Sequence, residues 1–174
     1  MDQYGHFCEM AVTNFATAPN SSVLLACILS PLNQSQIEML KPIAYAAEKQ
    51  LRSVPRDRQS SWTYLPFGLW QYRCGNYDAA IQWCRRALAQ EQRFSSSDAI
   101  LQVTLAMALH QKGQTDEVCA DLAQGRRLID EKFKSGLDRG RAGSGFWFDW
   151  VYGRHLAQEA AALINCESEQ SGDK

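Results

Sequence analysis

Two glycine breaks constrain the fold of this chain more than any other feature of its sequence. Gly75-Asn76 and Gly113-Gln114 each divide a run in which apolar residues recur every three or four positions, the spacing of an α-helix. A glycine suits the left-handed position just after a helix, where a Cβ is penalised. The breaks therefore predict two helix pairs, Trp62–Cys74 with Tyr77–Gln90 and Asp98–Lys112 with Thr115–Phe133.

The two predicted pairs repeat one pattern of residue sizes at an offset of 38 residues. With Gly75 placed over Gly113, small or apolar residues align along both helices: Phe67 with Leu105, Gly68 with Ala106, Ala80 with Val118, Cys84 with Leu122, and Ala87 with Gly125. Small residues at such places let two antiparallel helices approach closely. A unit of this size cannot bury its apolar face alone, so we expect the two pairs to stack.

Helical spacing continues on both sides of the pairs. Three N-terminal helices are predicted, over residues 2–16, 22–30 and 34–51, the second of them capped by Asn20 or Ser21. A last helix is predicted over residues 145–164. The expected architecture is one continuous all-α domain, with N-terminal helices in residues 1–54, the two pairs in 60–134, a capping helix in 145–165 and a tail in 166–174. Pro66 leads us to expect regular hydrogen bonding of its helix to begin near Thr63.

Composition bounds the classes of function. Hydrophobic residues make up 45% of the chain and charged residues 21%, which is enough apolar material for a core. The net charge of −1 argues against a nucleic-acid partner, which favours a basic excess. The N-terminal residues lack the basic start and apolar run of a secretory signal, and the longest apolar stretch, Val23–Leu29, is too short to span a bilayer. We therefore expect no membrane contact.

Six cysteines raise the question of a metal site or a disulfide framework. No two of them are spaced Cys-x-x-Cys, and none is followed by a histidine at ligand spacing. Most lie among apolar helix residues, where a thiol acts as a small hydrophobe. We expect reduced, structural cysteines, no metal, and a cytoplasmic location, because stable disulfides are rare in the cytosol.

The first pair resembles the tetratricopeptide repeat (TPR) family. Gly68, Gly75, Tyr77, Ala80 and Ala87 match the helix–turn–helix pattern of that family. The resemblance implies a short right-handed superhelix of antiparallel helix pairs, closed by a C-terminal capping helix. It also implies a scaffold that binds a protein or peptide partner, not an enzyme.

The resemblance extends to one kind of TPR region. The segments Leu105–Glu117 and Trp147–Ala160 are similar to the TPR regions that follow the kinase module in certain bacterial serine/threonine protein kinases. This similarity implies a bacterial protein and a regulatory role beside such a kinase. The chain itself has no His-Arg-Asp catalytic loop and no Asp-Phe-Gly motif, so no catalytic or cofactor-binding residues are predicted.

TPR arrays bind extended peptides in a concave groove lined by the first helix of each pair. Carrying the groove positions of the family onto this sequence gives ten candidates: Trp62, Leu65, Leu69, Tyr72 and Arg73 from the first pair, with Ile100, Val103, Met107, His110 and Gln111 from the second. The groove is then mostly apolar, with Arg73 available for a carboxylate. Two alternatives stay open: the groove is open to a partner, or other helices of the chain occlude it.

The predicted last helix carries a run of aromatic residues, Phe146, Trp147, Phe148 and Trp150. They suit a cap that seals the end of the stack. They also suit an exposed docking surface, because tryptophan and phenylalanine are enriched at interface cores. Self-association of the chain through this helix, as a homo-oligomer, is the alternative to partner binding.

Overall fold

The described chain is built from helices alone. The computed structural model describes residues 3–15, 21–55, 58–137 and 146–164, and in these ranges it contains eight α-helices and no β-strand. The helices are α1 (Gln3–Phe15), α2 (Ser21–Cys27), α3 (Gln34–Leu51), α4 (Ser61–Arg73), α5 (Tyr77–Leu88), α6 (Ser95–Gln111), α7 (Thr115–Ser135) and α8 (Trp147–Leu163). The all-α prediction is confirmed. No helix in these ranges is long and apolar enough to cross a bilayer.

Local capping explains where the predicted helix boundaries shift. The helix that contains Pro66 begins at Ser61, one residue before the predicted Trp62, and the Ser60 amide donates a hydrogen bond of 2.9 Å to Thr63 Oγ1. The Thr63 amide donates to the Ser60 carbonyl oxygen at 2.9 Å, so backbone hydrogen bonding begins at Thr63 as predicted. At α3 the prediction holds, because Asn33 and Gln36 form a reciprocal capping box. The proposed Asn20 cap of α2 lies outside the described residues.

The two predicted glycine turns have the same geometry. Gly75 and Gly113 adopt φ of +75° and +70°, in the left-handed region that only glycine occupies freely. In each turn the amide after the glycine donates to the carbonyl five residues earlier, and the glycine's own amide donates to the carbonyl three residues earlier, at 2.9–3.0 Å. This pattern is the Schellman motif, which satisfies free carbonyls at the end of a helix. The 38-residue repeat is therefore present in the backbone.

Both pairs fold back as antiparallel helices. Next to the first turn the rings of Tyr72 and Tyr77 lie 5.9 Å apart, and further along the same helices Phe67 meets Trp83 at 5.2 Å between ring centroids. In the second pair Gly125 of α7 lies against α6, on the side chain of Val103. Residues at similar distances before and after each glycine are thus brought together.

The same packing arrangement occurs twice along the stack: one helix packs against both helices of the preceding pair. Helix α6 packs against both helices of the first pair, α4 and α5. Helix α8 packs in the same way against both helices of the second pair, α6 and α7. At the other end, α1, α2 and α3 contact one another, and α2 and α3 contact α4. As a result α6 lies at the centre and is buried along most of its length.

The residues that align at the 38-residue offset are core residues. Phe67, Ala80, Cys84 and Ala87 of the first pair are buried, as are Leu105, Ala106, Val118 and Leu122 of the second, while Gly68 and Gly125 are buried glycines. A Cβ built on Gly68 would lie 2.7 Å from Cys84 Sγ. The small residues are therefore required by the short distance between the helices, as the size pattern predicts.

Among the cysteines that the structure describes, one departs from the prediction of reduced thiols. Cys8, Cys27 and Cys84 are buried free thiols, and Cys74 is a half-buried one. Burial raises the pKa of the Cys84 thiol to about 12, which keeps it protonated and unreactive. Cys119 is disulfide-bonded, so the prediction is wrong for this residue.

Gly125→Ala is expected to lower the free energy of unfolding by about 1–3 kcal/mol. The new Cβ would lie 2.8 Å from Val103 Cγ2 and 3.0 Å from the carbonyl oxygen of Ala99, and a β-branched side chain and a backbone atom have little room to move. Gly153→Ala is the matched control, because its nearest atoms lie at 3.4 Å or beyond. Its stability should be unchanged or rise by up to about 1 kcal/mol, from helix propensity. Urea denaturation measures both variants, and equal losses would contradict the close approach of α6 and α7.

Candidate functional site

The predicted groove residues of α4 lie mostly inside the protein. Leu65, Leu69 and Tyr72 are buried, and Trp62 is half-buried against the core. The side chain of Arg73 is only 3% exposed. The first helix of the first pair therefore presents little of its predicted binding face to solvent.

The predicted groove residues of α6 show the same burial. Ile100, Val103 and Met107 are fully buried, whereas His110 is half-buried and Gln111 is exposed at the end of the helix. Helix α8 covers Ile100, since the Cγ1 atom of that residue lies 3.4 Å from a Cβ built on Gly153.

Val103 does not face a groove at all. Its side chain packs inside the second pair, against Gly125. Most of the ten candidates are therefore buried against other parts of the chain. That the candidates bind a partner stays a prediction.

Arg73 joins three parts of the chain at one point. Its guanidinium forms a bidentate ion pair with Glu159 of α8, in which Nη2 donates to Oε2 at 2.7 Å and Nη1 donates to Oε1. The same side chain donates from Nε to the carbonyl oxygen of Ile28 at 2.9 Å, and from Nη2 to that of Leu29 at 2.7 Å. These two carbonyls directly follow α2, where the helix leaves backbone acceptors free. Arg73 thus ties the end of α2 and the C-terminal half of α8 to the end of α4.

The environment of Arg73 is nearly dry. Glu159 is 16% exposed, and the guanidinium carbon lies 5.5 Å from the centroid of the Tyr72 ring. Burial, helped by the negative charge of Glu159, raises the pKa of the Tyr72 hydroxyl to about 12. A bidentate pair in such surroundings is weakly screened, and removing either partner leaves a buried charge unpaired.

A second polar contact lies beside the ion pair. His155 Nε2 of α8 is 3.4 Å from Ser30 Oγ, at the exposed edge of the same junction. The Ser30 amide donates to the Tyr4 hydroxyl at 3.3 Å, and that hydroxyl donates to the carbonyl oxygen of Ala26 at 3.0 Å. The junction therefore connects α1 and the segment after α2 to α8.

Sequence reasoning identified Arg73 as a cation for a carboxylate but missed the carboxylate. Glu159 borders the buried stripe of α8, next to Ala160 and three residues after Leu156. A glutamate at the border of the apolar stripe of an amphipathic helix is the sequence feature that could have pointed to a buried carboxylate. This feature does not identify Arg73 as the partner of Glu159, because the two residues lie 86 positions apart in the sequence.

The described chain also exposes apolar side chains at the start of α8. Phe146, Trp147, Phe148 and Val151 form a surface that we call the aromatic cluster, in which Phe146 is 56% and Trp147 is 52% exposed. The rings of Phe146 and Phe148 stack at 5.3 Å, and Trp147 meets Phe148 edge-on at 5.8 Å. The other side of α8, including Trp150, is buried. The helix therefore serves as a cover for the core and also carries an exposed aromatic surface.

An apolar depression lies between α1 and α2. It encloses about 350 Å³, and Phe7, Met10 and Phe15 are exposed along it. Within residues 3–15, 21–55, 58–137 and 146–164, no three His, Cys, Asp or Glu side chains converge in a way that holds a metal ion.

Arg73→Met is expected to lower the free energy of unfolding by about 3 kcal/mol or more, because it leaves the Glu159 carboxylate buried without a cation. The double variant Arg73→Met/Glu159→Met should recover part of this loss, since no unpaired charge remains. The matched control is Arg85→Met, which breaks the 2.7 Å pair of Arg85 with Glu117. Both partners of that pair are more than half exposed, so we expect a change below about 1 kcal/mol. Similar losses in Arg73→Met and Arg85→Met, measured by urea denaturation, would contradict the buried junction.

Stability is expected to fall as the pH rises from 10 to 12. In this range the unfolded chain loses the Tyr72 proton while the folded chain keeps it, because the pKa of this hydroxyl is raised from 10.0 to about 12. Tyr72→Phe should make the fall less steep, by up to about 1.4 kcal/mol per pH unit. Burial also raises the pKa of Tyr4 to about 12, so Tyr4→Phe gives an independent comparison. Denaturation at several pH values measures the slopes, and an unchanged slope in Tyr72→Phe would argue against the buried hydroxyl.

Comparison with known proteins does not assign the chain to a family. No family model, no curated protein and no solved structure matches the chain. The TPR assignment accordingly stays a proposal, which rests on the two glycine turns and on the repeated packing of the helices.

Proposed function

We propose that this chain is a TPR-like interaction module that binds a protein partner through the aromatic cluster of α8. The fold part of the proposal is supported by the packing relation that occurs twice, in which α6 contacts α4 and α5 and α8 contacts α6 and α7. In a solenoid each unit contacts its neighbours in this repeated way, and an end helix covers the last unit. A short right-handed superhelix with α8 as its cap accommodates these contacts.

The exposed aromatic cluster is the single observation that carries the binding part of the proposal. Large aromatic side chains bury much area and dominate interface energetics when a partner covers them. Trp147 is half exposed although tryptophan is usually well buried in a folded chain. The predicted groove residues are mostly buried, so the cluster is a better candidate for the first contact with a partner than they are.

Self-association is the second candidate function, and the same cluster supports it. A symmetric dimer places one patch against its own copy, so a compact aromatic surface at one end of the stack is sufficient. Sedimentation at several protein concentrations separates the two candidates. A strict monomer at high concentration excludes self-association and leaves a different protein as the partner.

The resemblance to kinase-associated TPR regions adds a proposal about the process. We propose that the partner belongs to signalling by a bacterial serine/threonine kinase, with this chain in a regulatory role. The observation that tests it is genomic: a kinase domain encoded upstream in the same reading frame, or in the same operon, is expected. The predicted cytoplasmic location goes with this proposal, but the Cys119 disulfide does not support it, because stable disulfides are rare in the cytosol.

Replacing the cluster is expected to abolish partner capture without unfolding the chain. In the double variant Trp147→Ser/Phe148→Ser we expect at least a roughly 30-fold loss of affinity, because central aromatic anchors contribute about 2 kcal/mol or more each. Tyr45→Ser is the matched control, since Tyr45 is 74% exposed on α3, away from the cluster. Quantitative pull-down from the source cell, followed by mass spectrometry, measures the loss for each captured protein. Capture that is equal in the two variants would refute the cluster as the docking surface.

A further inference from the structure

Helix α8 reaches the rest of the described chain in two different ways. Its close backbone contacts are with α6 and α7 only, through a stripe of buried residues: Trp150, Gly153, Leu156, Ala157 and Ala160. Its links to α2 and α4 are made by side chains, through Glu159 on Arg73 and His155 beside Ser30. The first set covers an apolar face, and the second holds one edge of α8 in place.

The face under α8 has the properties of a site for a helix. Ile100 offers an apolar surface that accepts the close approach of Gly153, at 3.4 Å. Arg73, 3% exposed, offers a fork of N–H donors that is already fixed by the carbonyls of Ile28 and Leu29. The close approach at Ile100 requires a helix with a small residue at that point. The oriented guanidinium of Arg73 requires that this helix carry a carboxylate at its edge. In this chain Glu159 supplies that carboxylate.

We propose that α8 is an internal ligand, which occupies a site for an amphipathic helix built by α6, α7 and Arg73. The natural occupant in trans is a partner helix of the same chemistry. It carries small or apolar residues at the spacing of Gly153, Leu156, Ala157 and Ala160, with a glutamate next to the last of them. The partner helix binds when α8 leaves, and Glu159 keeps the site closed until then.

The architecture permits this exchange. Helix α6 also packs against α4, α5 and α7, so helices other than α8 support the α6 side of the site. The chain with α8 displaced has an unpaired Arg73, which makes that state rare on its own and favours a partner that brings its own carboxylate. In the closed state α8 occupies the site, and in the open state α8 is displaced. A partner helix shifts the equilibrium toward the open state only by as much as it binds that state more tightly than the closed one.

Two matched peptides test the proposal on the full chain. The probe is a synthetic, fluorescently labelled peptide of residues 149–164, and its counterpart carries glutamine in place of Glu159. In the full-length Glu159→Gln variant the charge that closes the site is absent. We expect this variant to bind the glutamate peptide at least tenfold more tightly than the wild type does, and at least tenfold more tightly than it binds the glutamine peptide. Fluorescence anisotropy measures all four combinations.

The role of Arg73 is isolated by the variant Arg73→Gln/Glu159→Gln, which should lose the preference for the glutamate peptide. Equal binding of the two peptides by Glu159→Gln, or binding of neither, overturns the proposal. The peptides lack Phe146, Trp147 and Phe148, so this outcome is independent of the test of the aromatic cluster.

Native-state hydrogen exchange on the wild type provides a second test that needs no variant. The amides of α8 should exchange at least tenfold faster than those of α6, through an opening in which the rest of the stack stays folded. Exchange of α8 only together with α6 would overturn the proposal. Should Glu159→Gln fail to fold by circular dichroism, Glu159→Asp replaces it in the peptide assay, since it keeps the charge but shortens the reach to Arg73.

Discussion

The close contact of antiparallel helices through small side chains is the constraint on which the rest of this structure depends. Gly68 meets Cys84 in the first pair and Gly125 meets Val103 in the second, at distances that exclude a Cβ. Two helices this close form a flat unit with apolar surface on both sides. Such a unit must be covered, and the chain covers it by stacking the pairs and adding helices at both ends. The central position of α6 follows from this stacking.

Covering the stack has a consequence for function. The end face of the second pair, which the next pair of a longer array would cover, is covered here by α8, and the cation expected to meet a partner's carboxylate meets Glu159 instead. The junction at Arg73 brings the end of α2, the end of α4 and the C-terminal half of α8 to one point. The aromatic cluster at the start of α8 remains exposed, as do Phe7, Met10 and Phe15 along the depression between α1 and α2. Recognition through that cluster and exchange of α8 for a partner helix are compatible, because they use opposite faces of one helix.

Helices and turns were predictable because their causes are local. The Asn33 cap begins α3, and the left-handed glycines end α4 and α6 at the predicted places. The repeated pattern of residue sizes also predicted which positions of the two pairs are buried, because the residues that align in the repeat are core residues. The candidate site was predictable only in part. Carrying groove positions over from a family assigns the candidates to the first helix of each pair and assumes an open face, whereas Val103 packs into its own pair.

The sequence by itself determined an all-helical chain, two antiparallel pairs with a glycine turn each, and the small residues at their seams, because hydrogen bonding and helix periodicity act over a few residues. Only the tertiary structure decided which faces are covered. Arg73 and Glu159 stand 86 residues apart, and neither residue's neighbours indicate the other. Their pairing depends on how α8 returns across α6, which is set by the packing of the whole stack and not by any segment of it.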